Sequence, residues 1–135
     1  MSTAAALLAT PLLAIPLLTG CADPQPPSSV HDAADHMFLD LVLIARRNTL
    51  PTQSDATLLI KAADQIRSGK DACAQWKLDR MVAIGMPLVM QVMTADAAGQ
   101  QQVRRDARRQ LQQASAMEVP DDLCHGRRFP PATFN

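Results

Sequence analysis

Tyrosine is absent from this chain of 135 residues, and its aromatic complement is three Phe and one Trp. Platforms on which bases or sugar rings stack are therefore scarce, which argues against a nucleic-acid partner. Excess charge of either sign is missing too, since 13 Lys and Arg balance 13 Asp and Glu. Zero net charge gives no general field to attract a polyanion, so an anionic partner needs a local patch. No phosphate-cradling Gly-rich loop, dinucleotide fingerprint, nucleophile elbow or His-Glu zinc motif occurs. Paired carboxylates are limited to Asp121-Asp122 beside Pro120. Nothing assembles an active site, and the expectation is a non-enzymatic protein with no cofactor, no bound metal and no evident small-molecule substrate. Strand-like alternation and hairpin turn signals are also missing, so an all-α fold is expected.

Charge is withheld most completely at the amino end, where Met1 to Gly20 contain no charged side chain and consist mostly of Ala, Leu, Ile, Thr and Pro. That composition is an export signal. The apolar stretch from Ala4 to Leu18 is shorter than the roughly 20 residues a membrane-spanning helix needs, and Pro11 and Pro16 interrupt it. It ends in Leu17-Leu18-Thr19-Gly20-Cys21, which resembles the lipobox of bacterial lipoproteins. The resemblance covers the first 21 residues. It implies diacylglycerol on the Cys21 sulfur, cleavage before Cys21 and a protein held to a lipid bilayer by its acyl chains. Ala22 follows Cys21, which by the same resemblance favours the outer membrane, facing the periplasm. The expected organisation is a signal peptide over 1–20, a lipidated Cys and Pro-rich tether over 21–29, and a helical periplasmic domain over 30–135. Residues 22–29 read ADPQPPSS, and in extended form they reach roughly 25 Å.

Export places Cys73 and Cys124, the two remaining cysteines, in an oxidising compartment, where a pair commonly becomes a disulfide. The bridge would close a loop of about 50 residues and contribute roughly 4 kcal/mol on the chain-entropy model. Two buried free thiols are the alternative if export fails. His125 lies beside Cys124, but a Cys–His catalytic pair would require the bridge to be absent.

Periodicity predicts three or four helices in a small bundle, with the carboxyl tail stapled by Cys73–Cys124. The first helix begins at Ser29, and its core stripe is Val30, Ala33, Ala34, Met37, Phe38, Leu41, Ile44 and Ala45, which Leu39, Val42 and Leu43 widen. Arg46 and Arg47 suit its carboxyl end. Ser54 is the expected cap of a second helix with an apolar face of Leu58, Leu59, Ala62, Ala63 and Ile66. A third starts near Asp71 and runs into a stretch between Arg80 and Asp96 without a charge. It is either a buried central helix or a partner-binding one, kinked at Pro87. A fourth spans Gln100 to Met117, with Val103, Ala107, Leu111 and Ala114 on one narrow face, either set off by Gly99 or continuous with the third as one long bent helix. The tail after Pro120 reads as irregular.

Two sets of residues are candidates for partner binding. Met81, Met86, Met90 and Met93 gather four of the seven methionines, and flexible thioethers suit either gap-filling in a core or an adaptable docking groove. Arg104, Arg105, Arg108 and Arg109 form a row relieved only by Asp106, fit either for plain solvation or for an acidic surface or phosphate. Arg127 and Arg128 extend it if the tail folds back. The segment HDAADH pairs His31 with Asp35 and Asp32 with His36 at four-residue spacing. His31 and His36 project about 140° apart, which disfavours a shared metal.

In size, helical content, lipid anchor and single disulfide, the chain resembles the small helical pilotins that escort outer-membrane secretin subunits. That resemblance is architectural and brings no motif beyond the lipobox. It implies a binding or assembly factor that receives a protein partner in the envelope, as an amphipathic helix in a Met-rich groove. The competing expectation is an immunity protein that neutralises a periplasm-acting toxin through its arginine row.

Overall fold

The apolar stripes become helices in the computed structural model, which describes residues 30–94 and 97–134. The expected signal peptide over 1–20 and the expected lipidated Cys21 and tether over 21–29, Ser29 included, lie outside the described residues. Four long helices, α1 (Val30–Arg46), α2 (Gln53–Ser68), α3 (Ala72–Met90) and α4 (Ala97–Ala116), are followed by a single turn, α5 (Asp121–Cys124). The fold is all-α, a helical bundle as the periodicity predicts, and among the described residues there is no strand. No described helix is long and apolar enough to cross a membrane.

Local chemistry fixes the ends. The cap of α2 is Thr52, not Ser54: the Thr52 hydroxyl accepts from the Asp55 amide at 3.1 Å, and the Asp55 carboxylate accepts from the Thr52 amide at 2.8 Å. This reciprocal box needs an acid three residues on, which Thr52 has and Ser54 lacks. Asp71 caps α3 by accepting from the Ala74 amide at 3.0 Å. That helix runs through Pro87 to Met90 and then tightens into a 3-10 turn, Gln91–Met93. Gly99 does not divide α3 from α4 but lies in the first turn of α4, where intrahelical amide bonds have not yet begun.

The core centres on Phe38 and Leu41 of α1, Ile66 of α2, Met81 and Leu88 of α3, and Leu111 of α4, all fully buried. Gly85 lets α3 close on α1, since a Cβ there would stand 3.0 Å from the Leu41 Cδ2. The apolar stripe of α1 is wider than its partners can cover. Val42 is buried, but Leu39 and Leu43 remain 44% and 56% exposed, and Leu58 of α2 is 48% exposed.

The carboxyl tail is a strap over this bundle. Cys73 and Cys124 are joined, both fully buried, and the bridge ties α5 to the first turn of α3. Beyond it Phe129 packs on Phe38 at 4.8 Å between ring centroids and on Trp76 at 6.2 Å. The few aromatic rings are thus spent on holding the tail.

Candidate functional site

An apolar groove runs where α2 and α3 lie side by side over α1. Met37, Leu59, Ala63 and Met81 contribute to it from the core. Ile60 of α2 and Met86 of α3 stand on its rim, 56% and 53% exposed, with Val82, Val89 and Arg67 completing a hollow of about 280 Å³. These positions follow from helix geometry. Ile60 neighbours the buried Leu59, and Met86 neighbours the buried Gly85, so each falls just off its helix's core face.

The four methionines do not share this groove. Met81 is fully buried and belongs to the core, with the groove above it. Met86 is on the rim. Met90, 52% exposed, lines a separate hollow with Pro87, Gln91, Gly99 and Val103, and Met93 in the 3-10 turn is 81% exposed. Gln91, buried beside that second hollow, has no hydrogen-bond partner for its side-chain amide among the described residues.

The arginines separate in the same way. Arg104, Arg105 and Arg108 meet Asn48 and Gln101 around a hollow of about 270 Å³. Arg109 faces aside, with Asp106 at 3.0 Å. Arg108 is partly structural: its Nε donates to the Ala45 carbonyl at 2.6 Å and its Nη2 to the Arg46 carbonyl at 3.3 Å, closing the carboxyl end of α1. Arg127 and Arg128 do not extend the row. Arg127 faces Asp71 at 3.8 Å, while Arg128 donates to the Met117 and Ala116 carbonyls at the end of α4.

Lys77 escaped the sequence reading. It is fully buried in α3, donates to the Arg128 carbonyl at 3.0 Å and to the Asp35 carboxylate at 3.4 Å, and stands 5.3 Å from the Phe129 ring centre. Burial pushes its ammonium below the usual lysine range, and the Asp35 carboxylate partly restores it. Two carboxyls near the α1–α2 corner are also shifted. Burial raises Asp40, against the pull of His36. Burial alone would raise Asp55, but the Thr52 amide, the Arg47 guanidinium and the Thr52 hydroxyl together bring it below the ordinary value.

Among the described residues no three His, Cys, Asp or Glu side chains come together to hold a metal ion. The Cys73 and Cys124 thiols are sealed in the bridge, and His125, in the left-handed conformation that ends α5, is exposed. What the surface offers chemically is an apolar groove and, elsewhere, a polar hollow rich in guanidinium. Comparison with protein-family models, with curated proteins and with solved structures finds no match to the chain.

Proposed function

We propose that this chain is an exported bacterial lipoprotein, anchored through acylated Cys21 in the outer membrane and facing the periplasm. In this reading it acts without catalysis as a binding or assembly factor, a pilotin-like accessory of an envelope secretion complex. The observation that carries the binding role is the groove between α2 and α3, with exposed Ile60 and Met86 on its rim. Water-exposed apolar side chains flanking an apolar hollow suit a partner that covers them. A trough between two helices fits an amphipathic helix, whose apolar residues at three- and four-residue spacing enter it. The Cys73–Cys124 bridge accords with an oxidising compartment and so supports export.

Covering the exposed halves of Ile60 and Met86 is worth about 1 kcal/mol each, from the full-burial value of about 1.5–3 kcal/mol. Ile60→Ala and Met86→Ala should therefore each weaken partner binding about fivefold. A photo-crosslinking residue placed at position 60 or 86 in intact cells should trap one envelope protein through a segment of amphipathic helical pattern. The same residue at exposed Gln112 of α4 should not. Adducts equally abundant from all three positions, or confined to a second copy of the chain, would overturn the reading. A hydrolytic toxin as the trapped protein would favour the immunity alternative.

A further inference from the structure

The guanidinium-lined hollow at the junction of α1 and α4 has a charge balance that the bundle does not need. Five residues surround it, Asn48 from the loop after α1 and Gln101, Arg104, Arg105 and Arg108 from α4, and none is acidic. The carboxylates on the flanking segments, Asp106 within α4 and Asp55 at the start of α2, are already engaged. Asp106 accepts from Arg109 at 3.0 Å and from the Gln102 amide at 2.9 Å. Asp55 is held by Arg47 and by the Thr52 amide. Arg105 donates only to the neutral Gln102 oxygen at 2.9 Å, and Arg108 is turned to the α1 carbonyls. Arg104 is half-buried and makes no hydrogen bond or ion pair among the described residues. Three like charges thus gather around one hollow with no carboxylate in its lining, and of the three only Arg108 is tied to the frame, through the α1 carbonyls.

We infer that this hollow is a binding site for a phosphoryl oxyanion, with Arg104 and Arg105 as its principal donors, Arg108 as a fixed positive wall, and the Asn48 and Gln101 amides completing the ring. Guanidinium forks match the oxygens of a phosphate, and neutral amides add hydrogen bonds without competing charge. A phosphomonoester, being close to a dianion at neutral pH, balances the three cations better than a carboxylate does. The site is at the opposite end of α1 from Val30, where the chain enters the bundle, a separation of about 25 Å along the helix. A soluble phosphomonoester or the headgroup of a lipid presents the same chemistry there. The site is distinct from the groove of α2 and α3 and does not depend on what that groove receives.

The test uses the purified full-length chain, calorimetry with inorganic phosphate and glycerol 3-phosphate at low salt, and nuclear magnetic resonance of the arginine Nε–H groups and the Asn and Gln side-chain amides. One saturable site is expected, with shifts concentrated at Arg104, Arg105, Asn48 and Gln101 and an affinity that falls as salt rises. Arg104→Gln with Arg105→Gln should weaken binding at least tenfold, while Lys61→Gln, which removes an exposed charge on α2, should leave it unchanged. Dihexanoyl phosphatidic acid identifies the source, because both outcomes keep the phosphoryl site: tighter binding than glycerol 3-phosphate assigns a lipid headgroup, and equal binding assigns a free phosphoryl ligand. Absence of saturable binding by every probe, or equal weakening in Lys61→Gln, overturns the assignment and leaves only a diffuse basic surface.

Discussion

The buried ammonium of Lys77 in α3 donates to the backbone carbonyl of Arg128, 51 residues further on, at a distance of 3.0 Å. That bond, the Phe129 ring beside it and the bridge from Cys73 fix the tail along one side of α3. The tail thereby covers Phe38 and Trp76, and Arg46 holds its far end through the Thr133 carbonyl at 3.0 Å.

A lysine in this position makes stability depend on alkaline pH in a definite sense. Its folded pKa lies below the unfolded value of 10.5. Between those two values the unfolded chain holds more protons than the folded one, so the Lys77 contribution to stability rises with pH across that window. Lys77→Met keeps the apolar stem and removes the titration. Denaturant midpoints measured up to about pH 10.4 should climb in the parent relative to Lys77→Met, and parallel profiles would refute the assignment. Lys77→Ala also leaves a void and the Arg128 carbonyl without its donor, for a loss of about 2 kcal/mol.

The bridge supports the same strap from its other side. Replacing Cys73 and Cys124 together by Ser frees a loop of about 50 residues and should cost about 4 kcal/mol on the chain-entropy model. At roughly 4 °C or more per kcal/mol for a domain of this size, the melting temperature should fall by about 15 °C. Tryptophan fluorescence is the sensitive readout, because Trp76 contacts Phe129 of the tail. An unchanged melt would show that packing alone retains the strap.

Much of this architecture was legible in the chain and some was not, for reasons that differ residue by residue. Apolar periodicity pointed to three or four helices, and the cysteine count with the expectation of export pointed to the bridge now seen between Cys73 and Cys124. Lys77 did carry a local signal, since it falls four residues after Cys73 and four before Met81 on the buried face of α3. Its partner could not be read, because a backbone carbonyl in the tail has no signature in side-chain spacing. Leu39, Leu43 and Leu58 show the reverse error, where periodicity counts an apolar residue as core although the packed helices leave it about half exposed. The α2–α3 groove and the convergence of Asn48 on Arg104 are properties of how helices sit against one another, and one-dimensional pattern carries no distance between helices. Methionine clustering left core and groove as alternatives for the whole set, where the fold makes a core residue, a rim residue and two remote ones.

Arg108 links the basic hollow to the frame. Its two bonds to the Ala45 and Arg46 carbonyls satisfy acceptors that α1 leaves open at its carboxyl end, and its guanidinium lies 6.0 Å from the centre of the Phe134 ring. Arg108→Ala should cost about 1.5–2 kcal/mol in chemical denaturation, the value of a charge-assisted bond plus the favourable helix-end charge. Arg108→Lys keeps the charge but cannot span both carbonyls from a planar fork, so it should recover less than half of the loss. Full recovery by lysine would mean that charge alone matters there.

Cys21 decides whether the envelope reading stands, and it lies outside the described residues. Two acyl chains hold a protein stably to a bilayer whereas one does so only marginally, so the lipobox reading requires modification at this sulfur and not mere apolar adsorption of the leader. Cys21→Ser should abolish labelling by radioactive palmitate and leave the longer precursor uncut, with the Cys73–Cys124 bridge still formed if the precursor is exported. Labelling that survives the substitution and is released by neutral hydroxylamine, which cleaves thioesters but spares amides and oxygen esters, would need another thiol acceptor. The other cysteines, Cys73 and Cys124, are buried and joined to each other, so persistent labelling would contradict either the anchor or the bridge, and an alkylation assay of the same sample shows which.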